Sequence, residues 1–261
     1  MSNPQNFTID LNETFPSLRR SPLIEAVIHW QAYANPKLEP KTLQAELSRR
    51  LPDFPNIQTQ YEYGVQIETP MPPDGSVVPS SVAQQTQWVG FRLENEAKNR
   101  VIQFTQTGIV VSSIGKYETW ETFHQEALNL WSLFREIAKP TVIQRLGVRY
   151  INKILLEEGE TASTYLKTIQ PNNFELPLIK DTFFHQETYK LPNYPYRLNW
   201  ICTQQSEPNQ RFLIVDLDVS ISPLLDLEQS LLIEHLQKIR WLKNKVFFNS
   251  ITDKSLAKFG G

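Results

Sequence analysis

The sequence predicts an α+β fold in which one β-α-β-β-β-α unit occurs twice. The two units are expected to form a compact pseudo-twofold body with an antiparallel sheet and two long covering helices. Two observations support this prediction. The apolar patterns of residues 22–139 return in the same order in residues 140–261, so that Ile24 matches Ile143. Each half also ends in a long amphipathic pattern of helical period.

Two stretches of the first half are predicted to lie outside the repeated unit. Residues 1–21 are polar and are expected to form a surface tail that docks only through Phe7, Ile9 and Phe15. Residues 70–81 are rich in proline and have no capacity for regular structure, so they are expected to form an insertion. The number of residues between matching positions of the two halves is smaller after this insertion, as expected if only the first half contains it.

The secondary structure of the first half is predicted from the alternation of apolar and polar residues and from the positions of proline and glycine. Period-2 patterns predict strands, and Pro40 is typical of the first position of a helix. Gly108 is predicted to mark a bend or bulge within a strand. The predicted elements are a strand at 23–33, a helix at 40–51, a strand at 57–69, a hairpin with arms 88–94 and 101–114, and a helix at 118–138.

The second half begins with residues 142–155, the most strand-like run in the sequence, directly after Pro140. One face of this predicted strand is apolar, and it carries Val142, Leu146, Val148, Tyr150 and Ile154. The other face carries the cations Arg145, Arg149 and Lys153. These side chains are expected either to pair with carboxylates of a neighbouring strand or to reach a partner.

The remaining elements of the second half repeat the order of the first. Asp226, with Gln229 three residues later, is predicted to cap the last long helix. The predicted elements are a short helix at 162–169, a strand at 180–191, a hairpin with arms 196–204 and 211–221, and a helix at 226–248.

The composition excludes several classes of function. The chain is 40% hydrophobic and 21% charged, which is typical of a globular protein with a proper core. Its 26 basic and 28 acidic residues give a net charge of −2, so the chain as a whole does not attract nucleic acid. The single cysteine, Cys202, excludes an internal disulfide and a cysteine metal site. No glycine-rich phosphate loop or serine-hydrolase motif is present, and we predict no cofactor and no metal.

No apolar run of about eighteen residues and no signal-like segment occurs in the sequence. The chain is therefore expected to be soluble and cytoplasmic, without membrane contact.

Two groups of charged residues are candidates for binding or chemistry. Asp216 and Asp218 lie two positions apart on a predicted strand and could hold a cation, act as acid and base, or pair with the central cations. The last long helix and the residues after it are basic, and their cations are Lys238, Arg240, Lys243, Lys245, Lys254 and Lys258. A helix dipole favours cations at this end, and the alternative is a contact surface formed by Lys238, Trp241 and Lys245. The four histidines, at 29, 124, 185 and 235, have no metal-ligand spacing and are expected to be structural.

Three blocks of the sequence resemble a known family. They are SPLIEAVIHW near the start, LGVRYINKI in the centre and FFNSITDKSLAKFG at the end. These blocks, which span residues 21–260, are similar to those of a sporadically distributed prokaryotic family that is defined by sequence profile and has no known function. The resemblance implies a stand-alone bacterial or archaeal protein, and its sporadic distribution is typical of accessory or defence genes. It provides no catalytic residues.

The predicted function is binding without catalysis, with a protein partner or a second copy of the chain as the ligand. The sequence is rich in aromatic residues, and one intramolecular face is not expected to bury both Phe247 and Phe248. Two alternatives remain. A sheet groove with Arg145, Arg149 and Lys153 could bind nucleic acid, with tyrosines at 61, 63 or 189 as stacking surfaces. An enzyme could use Asp216, Asp218, Arg149 and a histidine, if these side chains converge in one pocket.

Overall fold

A computed structural model describes residues 7–68, 81–115, 117, 119–169, 180–208, 210–222 and 224–261. Its strands are β1 (Leu23–Gln31), β2 (Asn56–Glu68), β3 (Ser81–Glu94), β4 (Arg100–Thr105), β5 (Gly108–Ile114), β6 (Arg145–Leu156), β7 (Phe183–Lys190), β8 (Tyr196–Glu207) and β9 (Gln210–Ile221). Its helices are α1 (Pro40–Arg50), α2 (Trp120–Ala138), α3 (Ala162–Tyr165), α4 (Gln229–Ser250) and α5 (Asp253–Phe259).

The strands form an antiparallel sheet of nine described strands in the order β2-β3-β4-β5-β1-β6-β9-β8-β7. The predicted α+β class and antiparallel sheet are therefore confirmed. The strand predicted at 142–155 is β6, and it lies near the middle of the sheet between β1 and β9. Ile28 of β1 lies opposite Val148 of β6, so the two halves of the chain are joined by backbone hydrogen bonds.

Each of the two long helices packs against two strands near the centre of the sheet. Helix α2 contacts β1 and β5, and α4 contacts β6 and β9. Trp30 of β1 and Trp131 of α2 are buried and stack with their ring centroids 5.5 Å apart. Such a pair contributes about 1 kcal/mol beyond the area that it buries.

The starts of the two long helices, α2 and α4, depend on side chains just before them. Thr119 caps α2 by accepting a hydrogen bond from the backbone N–H of Thr122 at 3.1 Å. Helix α4 begins at Gln229, and its N-cap residue is Glu228 instead of the predicted Asp226. The reason is that the Asp226 carboxylate accepts from the N–H of Glu228 and so closes a turn before the helix. None of the described helices is long and apolar enough to cross a membrane.

The first half contains one strand more than the predicted unit. The arm predicted at 101–114 is divided by a tight turn at Gln106 and Thr107 into β4 and β5, which pair with each other. The prediction of a single bent arm was wrong because Gly108 does not bend a strand but begins a new one. Its φ of 148° brings its α-carbon against β1, where an added Cβ would lie 2.1 Å from the carbonyl oxygen of Trp30.

The second half follows the predicted order, but its first helix is much shorter than predicted. Helix α3 ends at Tyr165 because Leu166 turns away to form a β-bridge with Ile251. Strand β7 lies within the predicted 180–191. Most of the predicted insertion at 70–81 lies outside the described residues.

The segment before β1 lies against the second half of the chain. The ring of Phe15 stacks on Phe248 at 5.6 Å, and the backbone N–H of Arg20 donates to the carbonyl of Phe259 at 2.8 Å. The N–H of Ile9 donates to the hydroxyl of Tyr194. Residues 7–21 are therefore attached to α4, α5 and the loop before β8.

We expect Gly108→Ala to lower the free energy of unfolding by about 3 kcal/mol, because the new methyl group collides with the backbone of Trp30 in a conformation that only glycine adopts easily. Urea unfolding of the purified chain measures this change. The matched control is Gly159→Ala, which has a positive φ of 77° but no atom within 4 Å of the added Cβ. Strain alone makes the control cost about 1 kcal/mol. Equal losses in the two variants would contradict the close approach of β5 to β1.

Candidate functional site

A cavity of about 760 Å³ lies on the helix-covered face of the sheet. Its floor is formed by β6 and β9, and its walls are formed by α4, the start of α2 and residues 11–21 of the N-terminal segment. Ligand pockets in proteins have volumes of about 300 to 1,000 Å³. The cavity therefore has the size of a site for a small molecule.

Lys243 of α4 forms part of the cavity wall and is 5% exposed. Its Nζ lies 3.4 Å from the centroid of the Tyr150 ring and donates a hydrogen bond to Oδ1 of Asn244 at 2.6 Å. Among the described residues no carboxylate forms an ion pair with Lys243. Buried lysines are rare unless they are paired, so this side chain requires an explanation.

Burial destabilises the charged form of Lys243 more than its neighbours stabilise it. Removing an ammonium group from water costs several kcal/mol, whereas an aromatic ring below a desolvated cation contributes about 2 kcal/mol. The pKa of Lys243 consequently lies well below its usual value of 10.5, mainly because of burial and secondly because of the positive charge of Arg240. The amine releases its proton more easily than a surface lysine does.

Two tyrosine hydroxyls meet at the same wall. The hydroxyl oxygens of Tyr117 and Tyr150 are 2.5 Å apart, and both residues line the cavity. Burial raises the pKa of Tyr117 to about 12 and raises the pKa of Tyr150 well above its usual value. Both hydroxyls therefore remain protonated near neutral pH. Since one hydroxyl donates to the other, the accepting hydroxyl still has a proton for a third group.

Arg240 lies one turn before Lys243 on α4 and also lines the cavity. One of its terminal nitrogens donates to the carboxylate of Glu121 at 2.9 Å, and its guanidinium lies 5.5 Å from the ring of Trp120. A guanidinium has five N–H groups, so Arg240 retains donors besides the one that Glu121 accepts. The cavity thus combines aromatic walls with several hydrogen-bond donors.

The N-terminal segment closes one side of the cavity and covers much of the predicted basic surface. Glu13 pairs with Lys245 at 2.6 Å, and Phe7 lies 5.8 Å from Trp241. Lys238 pairs with Glu234 on its own helix. The predicted contact surface of Lys238, Trp241 and Lys245 is therefore not an open basic patch, because Trp241 is only 5% exposed and both lysines are neutralised.

Other side chains of the C-terminal end also have contacts within the chain. Phe247 is buried and lines the cavity, and Phe248 is covered by Phe15. Lys254 pairs with Glu160 at 2.7 Å. Phe248 is only partly buried, and the N-terminal segment supplies the face that packs against it.

The predicted charges of the central strands lie on the opposite face of the sheet from the cavity, since side chains alternate along β6 and β9. Arg149 donates to the carboxylate of Asp216 from Nε at 2.8 Å and from Nη2 at 2.5 Å, and Arg145 donates to Asp218 at 2.7 Å. Both arginines therefore pair with a neighbouring strand, which was one of the two expectations. Lys153 instead lies 3.8 Å from the centroid of the Phe212 ring.

One histidine joins this charged ladder. The Nδ1 atom of His29 lies 3.2 Å from a guanidinium nitrogen of Arg145, and burial together with Arg145 lowers the pKa of His29 to about 4. His29 is therefore neutral and accepts a hydrogen bond from the arginine. Arg145, Arg149, Asp216, Asp218 and His29 do not line the 760 Å³ cavity. The side chains proposed for an enzyme instead form ion pairs and a hydrogen bond between neighbouring strands.

The other histidines are engaged in separate places. His124 stacks on Trp120, His185 contacts Glu187 at 2.8 Å, and His235 contacts the Tyr196 hydroxyl at 2.9 Å. Within the described parts of the chain, no group of three histidine, cysteine or acidic side chains is placed to hold a metal ion.

Sequence reasoning named Lys243 only as one of several helix cations, assigned Tyr150 to the core, and did not name Tyr117. A usable signal existed at Lys243. It follows Ile239 by four residues and precedes Phe247 by four residues, and both of these are buried. A lysine in the apolar stripe of a helix indicates a buried amine.

No protein-family model and no curated protein matches the chain. Its resemblance to a sporadically distributed prokaryotic family therefore stays a prediction.

We expect Arg149→Met to lower the free energy of unfolding by about 3 kcal/mol, because it leaves the carboxylate of Asp216 buried without a partner. The Asp216 side chain is 7% exposed, whereas that of Arg149 is 47% exposed. Asp216→Asn should therefore cost only about 1 kcal/mol, since water can solvate the remaining arginine. Urea unfolding of both variants tests this asymmetry, and a larger loss in Asp216→Asn would contradict it.

We expect Lys243→Met to raise the free energy of unfolding near neutral pH by about 1 to 4 kcal/mol, because folding then no longer has to bury or deprotonate an amine, and the side-chain volume changes little. Lysine in the unfolded chain binds its proton up to about pH 10.5, whereas the folded chain releases it at lower pH. The stability of the unmodified chain should therefore rise with pH toward 10.5, and the advantage of Lys243→Met should shrink. Denaturant unfolding between pH 7 and pH 10 measures both slopes.

Lys238→Met is the control for this experiment, because Lys238 lies on the same helix and pairs with Glu234. Its stability should follow the pH dependence of the unmodified chain. A constant difference between Lys243→Met and the unmodified chain over the whole pH range would contradict a lowered pKa for Lys243.

Proposed function

We propose that the chain is a binding protein for a small organic molecule that occupies the 760 Å³ cavity. The observation that carries this proposal is the burial of Lys243 at the cavity wall without a carboxylate partner among the described residues. A buried amine whose one described hydrogen-bond partner is a neutral amide lowers stability and offers nothing to packing that methionine would not offer. A ligand that accepts a hydrogen bond from Lys243 gives the residue a function.

The lining of the cavity indicates what kind of molecule fits. Lys243, Arg240 and the Tyr117–Tyr150 hydroxyl pair are donors, so they favour a polar group that contains oxygen. Trp120 and Phe247 supply flat apolar walls, which favour a planar body. The proposed ligand is therefore a planar organic molecule with an oxygen-containing head that faces Lys243.

We also infer that the two halves, 22–139 and 140–261, derive from one duplicated unit. The strand order supports this inference, because β5, β4 and β3 follow β1 on one side as β9, β8 and β7 follow β6 on the other. Helices α2 and α4 come directly after β5 and β9, the strands next to the centre. In this scheme β2 is an addition to the first half.

Association with a protein partner or with a second copy stays a prediction, although Phe247 is buried and Phe248 stacks on Phe15 within the chain. Nucleic-acid binding on the open face of the sheet also stays a prediction. Asp216 and Asp218 neutralise two of the three cations on which it depends, which weakens attraction for phosphate.

Salicylate and salicyl alcohol test the proposed function, because both are planar and carry oxygen-containing heads. We expect either compound to bind with a dissociation constant in the micromolar to millimolar range, and we expect Lys243→Met to weaken binding by about tenfold, as the loss of one buried hydrogen bond does. Lys238→Met should bind as the unmodified chain does. Calorimetry measures the affinity, and the fluorescence of Trp120 and Trp241 at the cavity wall provides a second readout.

Binding of neither compound, or equal binding by the two methionine variants, would contradict the proposal. Urea unfolding of each variant ensures that lost binding does not reflect lost folding.

A further inference from the structure

The amine of Lys243 has chemistry that goes beyond hydrogen bonding. A surface lysine is held as an ammonium ion by water and by nearby carboxylates, and an ammonium ion has no lone pair that can attack carbon. Lys243 is 5% exposed, and its one described hydrogen-bond partner is the neutral amide of Asn244. Its surroundings therefore favour the free amine, in contact with a cavity large enough for an organic molecule.

We propose that Lys243 captures an aldehyde or a ketone in this cavity as an imine. The inference rests on the proposed function, because it specifies the oxygen-containing head of the bound molecule as a carbonyl group. Non-covalent binding alone requires a donor at this position, and a serine or an asparagine would provide one. Imine formation requires a primary amine, which among side chains only lysine supplies.

The chemistry of the capture balances without an added reagent. The Nζ lone pair forms a bond to the carbonyl carbon, and the π electrons of the C=O bond move to oxygen. One proton then passes from the nitrogen, which became cationic in the attack, to the oxygen, and this gives a neutral carbinolamine. The resulting carbinolamine loses its hydroxyl group and a proton from nitrogen as one water molecule, and a C=N bond forms. The products are the imine and water.

The Tyr117–Tyr150 pair is placed to assist the proton transfer to oxygen. Lys243 lies over the ring of Tyr150, and the hydroxyl of that ring is hydrogen-bonded to the hydroxyl of Tyr117. In such a pair one hydroxyl donates and the other keeps a free proton. That proton can form a hydrogen bond with the carbonyl oxygen of the ligand and stabilise the negative charge that develops there.

The charged groups around Lys243 come from each element that surrounds the cavity. Arg240 on the same helix adds positive charge, and it is partly neutralised by Glu121 of α2. Glu13 of the N-terminal segment is paired with Lys245. Strand β6 contributes Tyr150 and the uncharged Asn152, whose amide donates to the carbonyl of Val215. Each described carboxylate near the cavity therefore already has a cation other than Lys243.

The test is reductive trapping of the full chain with salicylaldehyde and sodium cyanoborohydride near neutral pH. Cyanoborohydride converts an imine into a stable secondary amine, which peptide mass spectrometry assigns to one lysine. We expect the adduct at Lys243 to form about tenfold faster than at any other lysine, because surface lysines remain protonated at this pH. Lys238→Met should react as the unmodified chain does, and Lys243→Arg should lose the fast adduct.

A Tyr117→Phe/Tyr150→Phe double variant adds a readout that accessibility alone would not change. It should slow trapping at Lys243 by more than it weakens the binding of salicyl alcohol, since negative charge develops on the ligand oxygen only during the attack on a carbonyl group. An unchanged trapping rate in this variant would overturn the role of the tyrosine pair.

Adducts distributed over the surface lysines, with Lys243 unmodified, would overturn the inference. If salicyl alcohol or salicylate still binds in a manner that depends on Lys243, the proposed function stands and only the imine is lost. If neither compound binds and no adduct forms at Lys243, both proposals fail.

Discussion

The antiparallel pairing of β1 with β6 is the interaction on which the rest of the structure depends. It joins a strand from each half of the chain over seven consecutive paired positions, from Glu25 opposite Ile151 to Gln31 opposite Arg145. In the sheet, β1 lies beside β5 and β6 lies beside β9, and each of these neighbours is the last strand before a long helix. The pairing therefore places α2 against β1 and β5 and places α4 against β6 and β9. The space between the two helices and the sheet becomes the cavity.

Charged side chains have different partners on the two faces of the sheet. On the open face, Arg145 and Arg149 lie directly beside the carboxylates of β9, and each charge has a partner at hydrogen-bond distance. On the helix-covered face, Nζ of Lys243 donates a hydrogen bond to the amide oxygen of Asn244 and lies over the ring of Tyr150. Arrays of paired charges along strands stabilise pairing and register, whereas an unpaired polar group in a cavity is typical of a functional site.

The fold was largely predictable from local patterns, and its exceptions have local causes. Residues 142–155 alternate so clearly that their strand and its buried face were evident, and Thr119 marks the start of α2 as a capping residue should. The turn at Gln106 and Thr107 was missed because the run without apolar residues between Phe104 and Ile109 is only four residues long, which is short for a loop between two strands. The end of α3 was missed because it depends on a bridge between Leu166 and Ile251, which are far apart in sequence.

The site was less predictable than the fold, since it depends on contacts between distant segments. Asp216 and Arg149 could be matched because both lie on predicted neighbouring strands. No local pattern places Tyr117 against Tyr150, or residues 11–21 against α4, because these contacts form only after the two halves have joined. The cavity therefore could not be assigned from the sequence, although its central lysine carries a signal within the helix itself.

The wall that residues 11–21 contribute has a consequence for kinetics. This segment is attached mainly through side chains, such as Glu13 with Lys245 and Phe15 with Phe248, whereas the floor of the cavity belongs to a continuous hydrogen-bonded sheet. Segments held in this way detach at a lower free energy than sheets open. For the proposed ligand, entry and release would then proceed while the fold stays intact, and the rate at which the N-terminal segment detaches would set the residence time.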